Sequence, residues 1–133
     1  MLLTNLEDSL KKVLIVEDDL IIGLSTEKMV EKLGCDVIAR VTTGEEAVEV
    51  ALEKLPDVIL MDIRLAGELD GIDASMKIRD HNQEIRIIYV TGNADPGYRE
   101  KARGSGYEAY LIKPVQFEDL RKHILNGTNM PSN

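Results

Sequence analysis

The chain has 133 residues, with 24 Asp and Glu against 16 Lys and Arg, for a formal net charge of −8. That length suits one domain able to bury roughly two-thirds of its unfolded surface, and its 44% hydrophobic and 30% charged content is that of a globular protein. The charge opposes sequence-independent binding to nucleic acid or anionic lipid, no apolar run nears the ~20 residues of a membrane span, and a single cysteine, Cys35, excludes an internal disulfide framework.

Residues 1–10 form an N-terminal extension. The opening stretch, MLLTNLEDSLKK, carries acids and lacks a basic region followed by a long apolar segment, so it does not read as a secretory signal and the expected location is cytoplasmic. A first strand is expected at about 12–16. Asp19 is positioned as the N-cap of a helix over about 19–33, with Ile22, Met29, Val30 and Leu33 on one face and Gly34 as its left-handed stop. A second strand at about 36–41 leads to Thr43 and Glu46, spaced as a capping box ahead of a helix packed through Ala47, Val50, Ala51 and Leu55 and stopped by Pro56. The third strand, about 57–61, precedes a loop and a helix at about 71–81. The fourth strand covers about 85–90, and Asp95-Pro96 opens a short helix to about 103 that Gly104, Ser105 and Gly106 break. A fifth strand at about 108–112 precedes Lys113-Pro114 and a last helix at about 117–126. Residues 127–133 are too poor in apolar side chains to fold alone and are expected to form a flexible tail.

The apolar runs are short and unbroken by polar alternation, the pattern of strands buried on both faces of a parallel sheet. Alternation with helices predicts an α/β doubly wound sandwich, five parallel strands flanked by five helices, in one domain over 11–126. Each run ends in a polar group: Glu17 and Asp18 after the first, Asp62 after the third, Thr91 after the fourth and Lys113 after the fifth. Parallel strands end on one side, so these groups converge at the edge where open α/β sheets hold ligands. If the first and third strands are neighbours, as in the order 2-1-3-4-5, Glu17, Asp18 and Asp62 crowd together. A hard divalent cation such as Mg²⁺ relieves that repulsion, leaving a carboxylate able to attack phosphorus. Lys113 and Thr91 supply an ammonium and a hydroxyl for phosphoryl oxygens. His81 and His123 pair with no nucleophile or metal cluster and are expected to be exposed.

The segments Val13-Leu14-Ile15-Val16-Glu17-Asp18-Asp19, Pro56-Asp57-Val58-Ile59-Leu60-Met61-Asp62-Ile63-Arg64, Asp70-Gly71, Val90-Thr91-Gly92 and Leu111-Ile112-Lys113-Pro114 occur in the order and at the strand ends that mark one family. Over about residues 11–126 the chain resembles the receiver domain of two-component response regulators. The resemblance implies the flavodoxin-like fold and makes Asp62 the phosphoacceptor for a phosphohistidine of a sensor histidine kinase or phosphotransfer protein. It implies Mg²⁺ held by Asp18, Asp62 and the backbone carbonyl of Arg64, with Glu17 acting through a bound water. It matches Thr91 and Lys113 to phosphoryl contacts, Thr91 and Tyr110 to a switch, Arg64 and Asn93 to positions that tune phosphoryl lifetime, and Pro114 to a cis peptide. The implied output is an altered protein-interaction surface for a downstream effector, with a phosphorylation-dependent homodimer left open, and the implied role is a signalling phosphoacceptor rather than an enzyme. Two departures stand out: Glu17 replaces the commoner aspartate, and the loop after Asp62 has Ala66 for the usual proline and one extra residue before Asp70-Gly71. The alternatives are a phosphorylation-independent scaffold of the same fold and a Mg²⁺-dependent aspartyl-nucleophile phosphatase. The latter needs a general acid where the chain has Arg64.

Overall fold

In the computed structural model, residues 10–92 and 95–126 are described. The elements are β1 (Lys12–Val16), α1 (Leu20–Lys32), β2 (Asp36–Val41), α2 (Gly44–Lys54), β3 (Val58–Met61), α3 (Gly71–His81), β4 (Arg86–Thr91), α4 (Pro96–Ala102), a 3₁₀ turn (Arg103–Ser105), β5 (Ala109–Ile112) and α5 (Phe117–Asn126). All strand pairs are parallel, in the order β2-β1-β3-β4-β5. This is the doubly wound sandwich that the alternating runs predict. Expectations for residues 1–9, for Asn93 and for 127–133 fall outside the described residues. Among the described residues no helix is long and apolar enough to cross a membrane.

Period-two alternation along each strand divides the core. Leu14, Val16, Ile59, Met61, Ile87 and Tyr89 face one side, where Ala47 and Ala51 of α2, Ile72 and Ile78 of α3 and Ala102 of α4 cover them. Val13, Ile15, Val58, Leu60, Ile88 and Val90 face the other, under Val30 of α1 and Leu120 and Ile124 of α5. Cys35 is buried in this second core as a free thiol.

Several local expectations need correction. β3, β4 and β5 each start one residue later than expected, and β4 runs on through Thr91. The buried face of α1 is Gly23, Thr26 and Val30, with Met29 and Leu33 half-buried and Ile22 exposed. The side chains of Arg40 and Glu17 lie against Gly23, where an added Cβ would sit 3.4 Å from the Arg40 guanidinium and 3.6 Å from Glu17 Cγ. α2 ends before Pro56, because Leu55 itself turns left-handed (φ 52°) and its side chain is 55% exposed. Thr43 accepts from the Glu46 N–H as expected, but the Glu46 carboxylate reaches the N–H of Thr42 rather than that of Thr43. α4 stops at Ala102, one residue before the expected end, and the chain tightens into the 3₁₀ turn and ends at Gly106 (φ 64°), within the Gly104-Ser105-Gly106 break that the sequence predicts. His81 is exposed, whereas His123 is half-buried. Asp19 and Asp95 do cap their helices, each accepting main-chain N–H bonds.

Candidate functional site

β1 and β3 are neighbours, so the residues that follow them emerge side by side. The Asp62 N–H donates to the Val16 carbonyl at 3.0 Å and the Glu17 N–H to the Val41 carbonyl at 2.9 Å, which carries the sheet ladder past the last strand residues. Glu17, Asp18 and Asp62 each bring a carboxylate oxygen within 4.8 Å of the others. Glu17 and Asp62 are buried and Asp18 is exposed. Glu17 accepts the Asp19 N–H at 3.1 Å and Asp62 accepts the Ile63 N–H at 2.7 Å, so both side chains are fixed by their own main chain.

Lys113 answers this negative charge. Its ammonium lies 2.6 Å from Glu17 Oε1 and 2.9 Å from Asp62 Oδ2, with its side chain only 17% exposed. Burial works to lower its pKa, but the bonds to Glu17 and Asp62 outweigh that and hold it protonated. Burial also pushes the Glu17 carboxyl above its ordinary value, with the Asp62 charge adding to this and Lys113 and the Asp19 N–H working against it. Thr91, buried at the end of β4, accepts the Lys113 N–H through its main-chain carbonyl at 2.9 Å. The peptide before Pro114 is cis. The acids, Thr91 and Lys113 thus stand at one sheet edge, and Arg64 lies exposed two residues beyond Asp62.

Tyr110, half-buried on β5, stands opposite Tyr89 in the ladder, 5.8 Å away between ring centroids. The Arg99 guanidinium covers the Tyr110 ring at 4.6 Å. Three carboxylate oxygens so close suit a hard cation, since Mg²⁺ takes oxygen ligands and leaves coordination positions for water or phosphate.

The loop after Asp62 is held by residues that sequence patterns passed over. The Glu45 carboxylate of α2 accepts the Glu68 and Leu69 N–H groups at 3.0 and 3.1 Å, Gly67 takes φ 91°, and Ala66 forms a bridge with Thr43. Asp70 and Asp73 make a reciprocal capping box on α3, and Lys101 of α4 lies 2.9 Å from Asp70. Gly71 has no room for a side chain, because a Cβ there would sit 1.9 Å from the Asp62 carbonyl oxygen. The spacing of Asp70 to Asp73 is legible as a box, whereas the Glu45 clamp spans more than twenty residues and leaves no local signal.

Apolar side chains border this edge. Leu20 and Ile21 of α1 are 66% and 82% exposed. An open cavity of about 470 Å³ lies between α1 and the β5–α5 connection, lined by Ile21, Ile22, Met29, Val90, Lys113 and Pro114 among others.

The chain matches the model of the response regulator receiver domain over residues 13–125. It is 34% identical over 110 residues to the transcriptional regulatory protein PdtaR of Mycobacterium tuberculosis, covering 83% of this chain and 53% of that protein. The chain therefore spans about half the length of PdtaR. It is 37% identical over 107 residues to the polar-differentiation response regulator DivK of Brucella anthropi, covering 79% and 85% respectively. Among solved structures it is similar to a CheY-like receiver domain protein from Methanospirillum hungatei JF-1 (TM-score 0.81, 31% identity, 87% of this chain and 91% of the other). It is also similar to the receiver domain of the sensor histidine kinase PA1611 from Pseudomonas aeruginosa PAO1 (TM-score 0.77, 35% identity, 86% and 93%), which has a magnesium ion coordinated in its active site cleft.

Proposed function

The chain belongs to the response regulator receiver domain family of two-component signalling, and from that premise we propose that Asp62 accepts a phosphoryl group from a phosphohistidine of a sensor kinase or phosphotransfer protein. The observation that carries this reading is the Lys113 ammonium shared between Glu17 and Asp62 inside the three-carboxylate cluster. An Asp62 oxygen attacks phosphorus, the new O–P bond forms as the N–P bond breaks, and the imidazole departs with the electron pair. Asp18 and Asp62, with the Arg64 carbonyl, would hold Mg²⁺ directly, and Glu17 would act one water further out. Bound there, Mg²⁺ neutralises charge on the carboxylates and the phosphoryl oxygens. Lys113 and the Thr91 hydroxyl bind the phosphoryl oxygens, and Thr91 with Tyr110 switches the surface that meets an effector protein.

Apolar side chains of α1 border the phosphoacceptor edge and suit a docked helix or loop of the donor protein. The proposed functional unit is residues 11–126, working in the cytoplasm beside its kinase. Intact acids, threonine and lysine argue against a phosphate-indifferent scaffold, and Arg64 argues against a phosphatase. The test is labelling from acetyl phosphate with Mg²⁺. Wild type should take up a phosphoryl group that hydroxylamine removes, as expected of an acyl phosphate, and Asp62→Asn should not; equal labelling of the two would overturn the assignment.

A further inference from the structure

Tyr89 is wholly buried in mid-β4, and its hydroxyl is the part of it that the phosphoacceptor chemistry does not use. That hydroxyl donates to Ser105 Oγ at 2.8 Å, and Ser105 Oγ donates to the Ala102 carbonyl at 2.6 Å. The chain of bonds runs from the sheet into the last residue of α4 and the 3₁₀ turn behind it. α4 has seven residues, of which Ala102 is buried, so apolar burial holds it weakly. The other described ties from this helix to its surroundings include Lys101 on Asp70 and Arg99 on Tyr110, both at the surface. A hydrogen bond made without competition from water is the firmer link.

Tyr89 also sits in the path between the phosphoacceptor edge and Tyr110. It lies two residues before Thr91 on the same side of β4, about 6.6 Å along the strand. Its ring meets Tyr107 edge-on at 5.5 Å and Tyr110 at 5.8 Å, and those two rings are 5.8 Å apart. Tyr89 is wholly buried while Tyr110 is half-buried, so the Tyr89 ring is the inner member of this contact and a change in Tyr110 packing is felt there. Ser75 of α3 offers somewhere for the hydroxyl to go: its Oγ is buried with no hydrogen-bond partner among the described residues, and, although burial raises the Tyr89 pKa, Ser75 is near enough to act against that rise. A buried donor with a second acceptor at hand can change partners without being left unsatisfied.

We propose that the Tyr89 hydroxyl is a positioning group that ties the end of α4 to β4 and carries a change at Asp62 and Thr91 to the α4 surface. The inference rests on the phosphoacceptor reading above. The test uses backbone amide NMR spectra of the full chain in Mg²⁺, with and without beryllium fluoride as a phosphoryl mimic, in wild type, Tyr89→Phe and Ser105→Ala. In wild type, Thr91, Ser105 and Gly106 should all shift. In Tyr89→Phe, which keeps the three-ring packing, Thr91 should still shift while the response at Ser105 and Gly106 is lost. Ser105→Ala should reproduce this at Gly106 by cutting the same link from the other side. Full responses at Gly106 in both variants, or no response there in wild type, would overturn this inference alone. An unmoved Thr91 in wild type would overturn the phosphoacceptor reading and this inference with it.

Discussion

Gly71→Ala isolates how the end of β3 that carries Asp62 depends on its neighbours. The added Cβ would lie 1.9 Å from the Asp62 carbonyl oxygen and 2.9 Å from Ile63 Cα. A carbon and a carbonyl oxygen need about 3.3 Å, so the start of α3 and the Asp62-Ile63 backbone must separate by roughly 1.4 Å. Both obstacles are main-chain atoms, which no side-chain rotation can clear. That separation weakens the Gly71 N–H bond to the Ile63 carbonyl, now 2.7 Å long, at about 1 kcal/mol. Overpacking adds about 1–3 kcal/mol. Gly71 is not in the left-handed region, so alanine gains back about 0.5–1 kcal/mol from the restricted unfolded chain. The net expectation is a loss of about 2 kcal/mol, a fall in Tm of roughly 8 °C for a domain of this size. Urea titration and thermal melts measure it. A variant as stable as the parent, or more so, would show that Gly71 is not jammed against Asp62 and would refute the reasoning.

Lys113→Ala leaves buried Glu17 and Asp62 without their cation; urea titration should show a loss of about 2 kcal/mol, and added MgCl₂ should stabilise the variant more than the wild type. Glu45→Ala frees the Glu68 and Leu69 N–H groups to solvent, and amide exchange at both positions should speed up by about tenfold, a 1.4 kcal/mol effect; unchanged exchange would mean the loop holds itself. Asp70→Ala removes both the α3 cap and the partner of Lys101, for about 1–2 kcal/mol, whereas Asp70→Asn keeps the cap and should cost about 0.5 kcal/mol. Burial tends to raise the Asp70 pKa, but the Asp73 N–H and Lys101 outweigh it and the net shift is downward. The charge-dependent part of its stabilisation is therefore complete above the unfolded carboxyl value near 3.9 and is lost as pH falls through the lower folded value. Chemical denaturation of wild type and Asp70→Asn across that acid range should converge; a constant gap would contradict the sign of the shift.

What was legible in the sequence was whatever depends on a residue and its near neighbours. Unbroken aliphatic runs announce strands covered on both faces, and Asp19 and Asp95 announce helix starts, because those signals are complete within a few residues. On α1, Val30, Met29 and Leu33 pack on the core as the spacing predicts, and Ile22 departs from it for a physical reason. Hydrophobic spacing chooses Ile22, but the helix closes on the sheet edge where Glu17 and Arg40 already stand, and only Gly23 leaves space for them. The larger apolar residues are turned outward beside Lys113, where they are free to meet another molecule. Glu45 and Tyr89 were equally invisible, since their partners lie 23 and 16 residues away and nothing local distinguishes an acid on a helix or a tyrosine in a strand.

The site residues were legible for a different reason: topology, not contact, brings them together. A polar group after each buried run must reach one edge once the strands are parallel and β1 lies beside β3. The sequence pattern could not supply the distance over which their charges balance. Lys113 is held within 3 Å of two buried acids, so a single ammonium offsets part of the negative charge of Glu17, Asp18 and Asp62 from within the fold and leaves the rest to a cation from solvent. A divalent cation entering the cluster meets an ammonium already there. A cation held there would share the oxygens of Glu17 and Asp62 with Lys113, which on the proposed function would also stay within reach of a phosphoryl oxygen. If the proposed function holds, Lys113→Ala should raise the affinity of the cluster for Mg²⁺, read by titration, while weakening retention of beryllium fluoride; unchanged Mg²⁺ affinity would show that the ammonium and the cation do not compete for these oxygens.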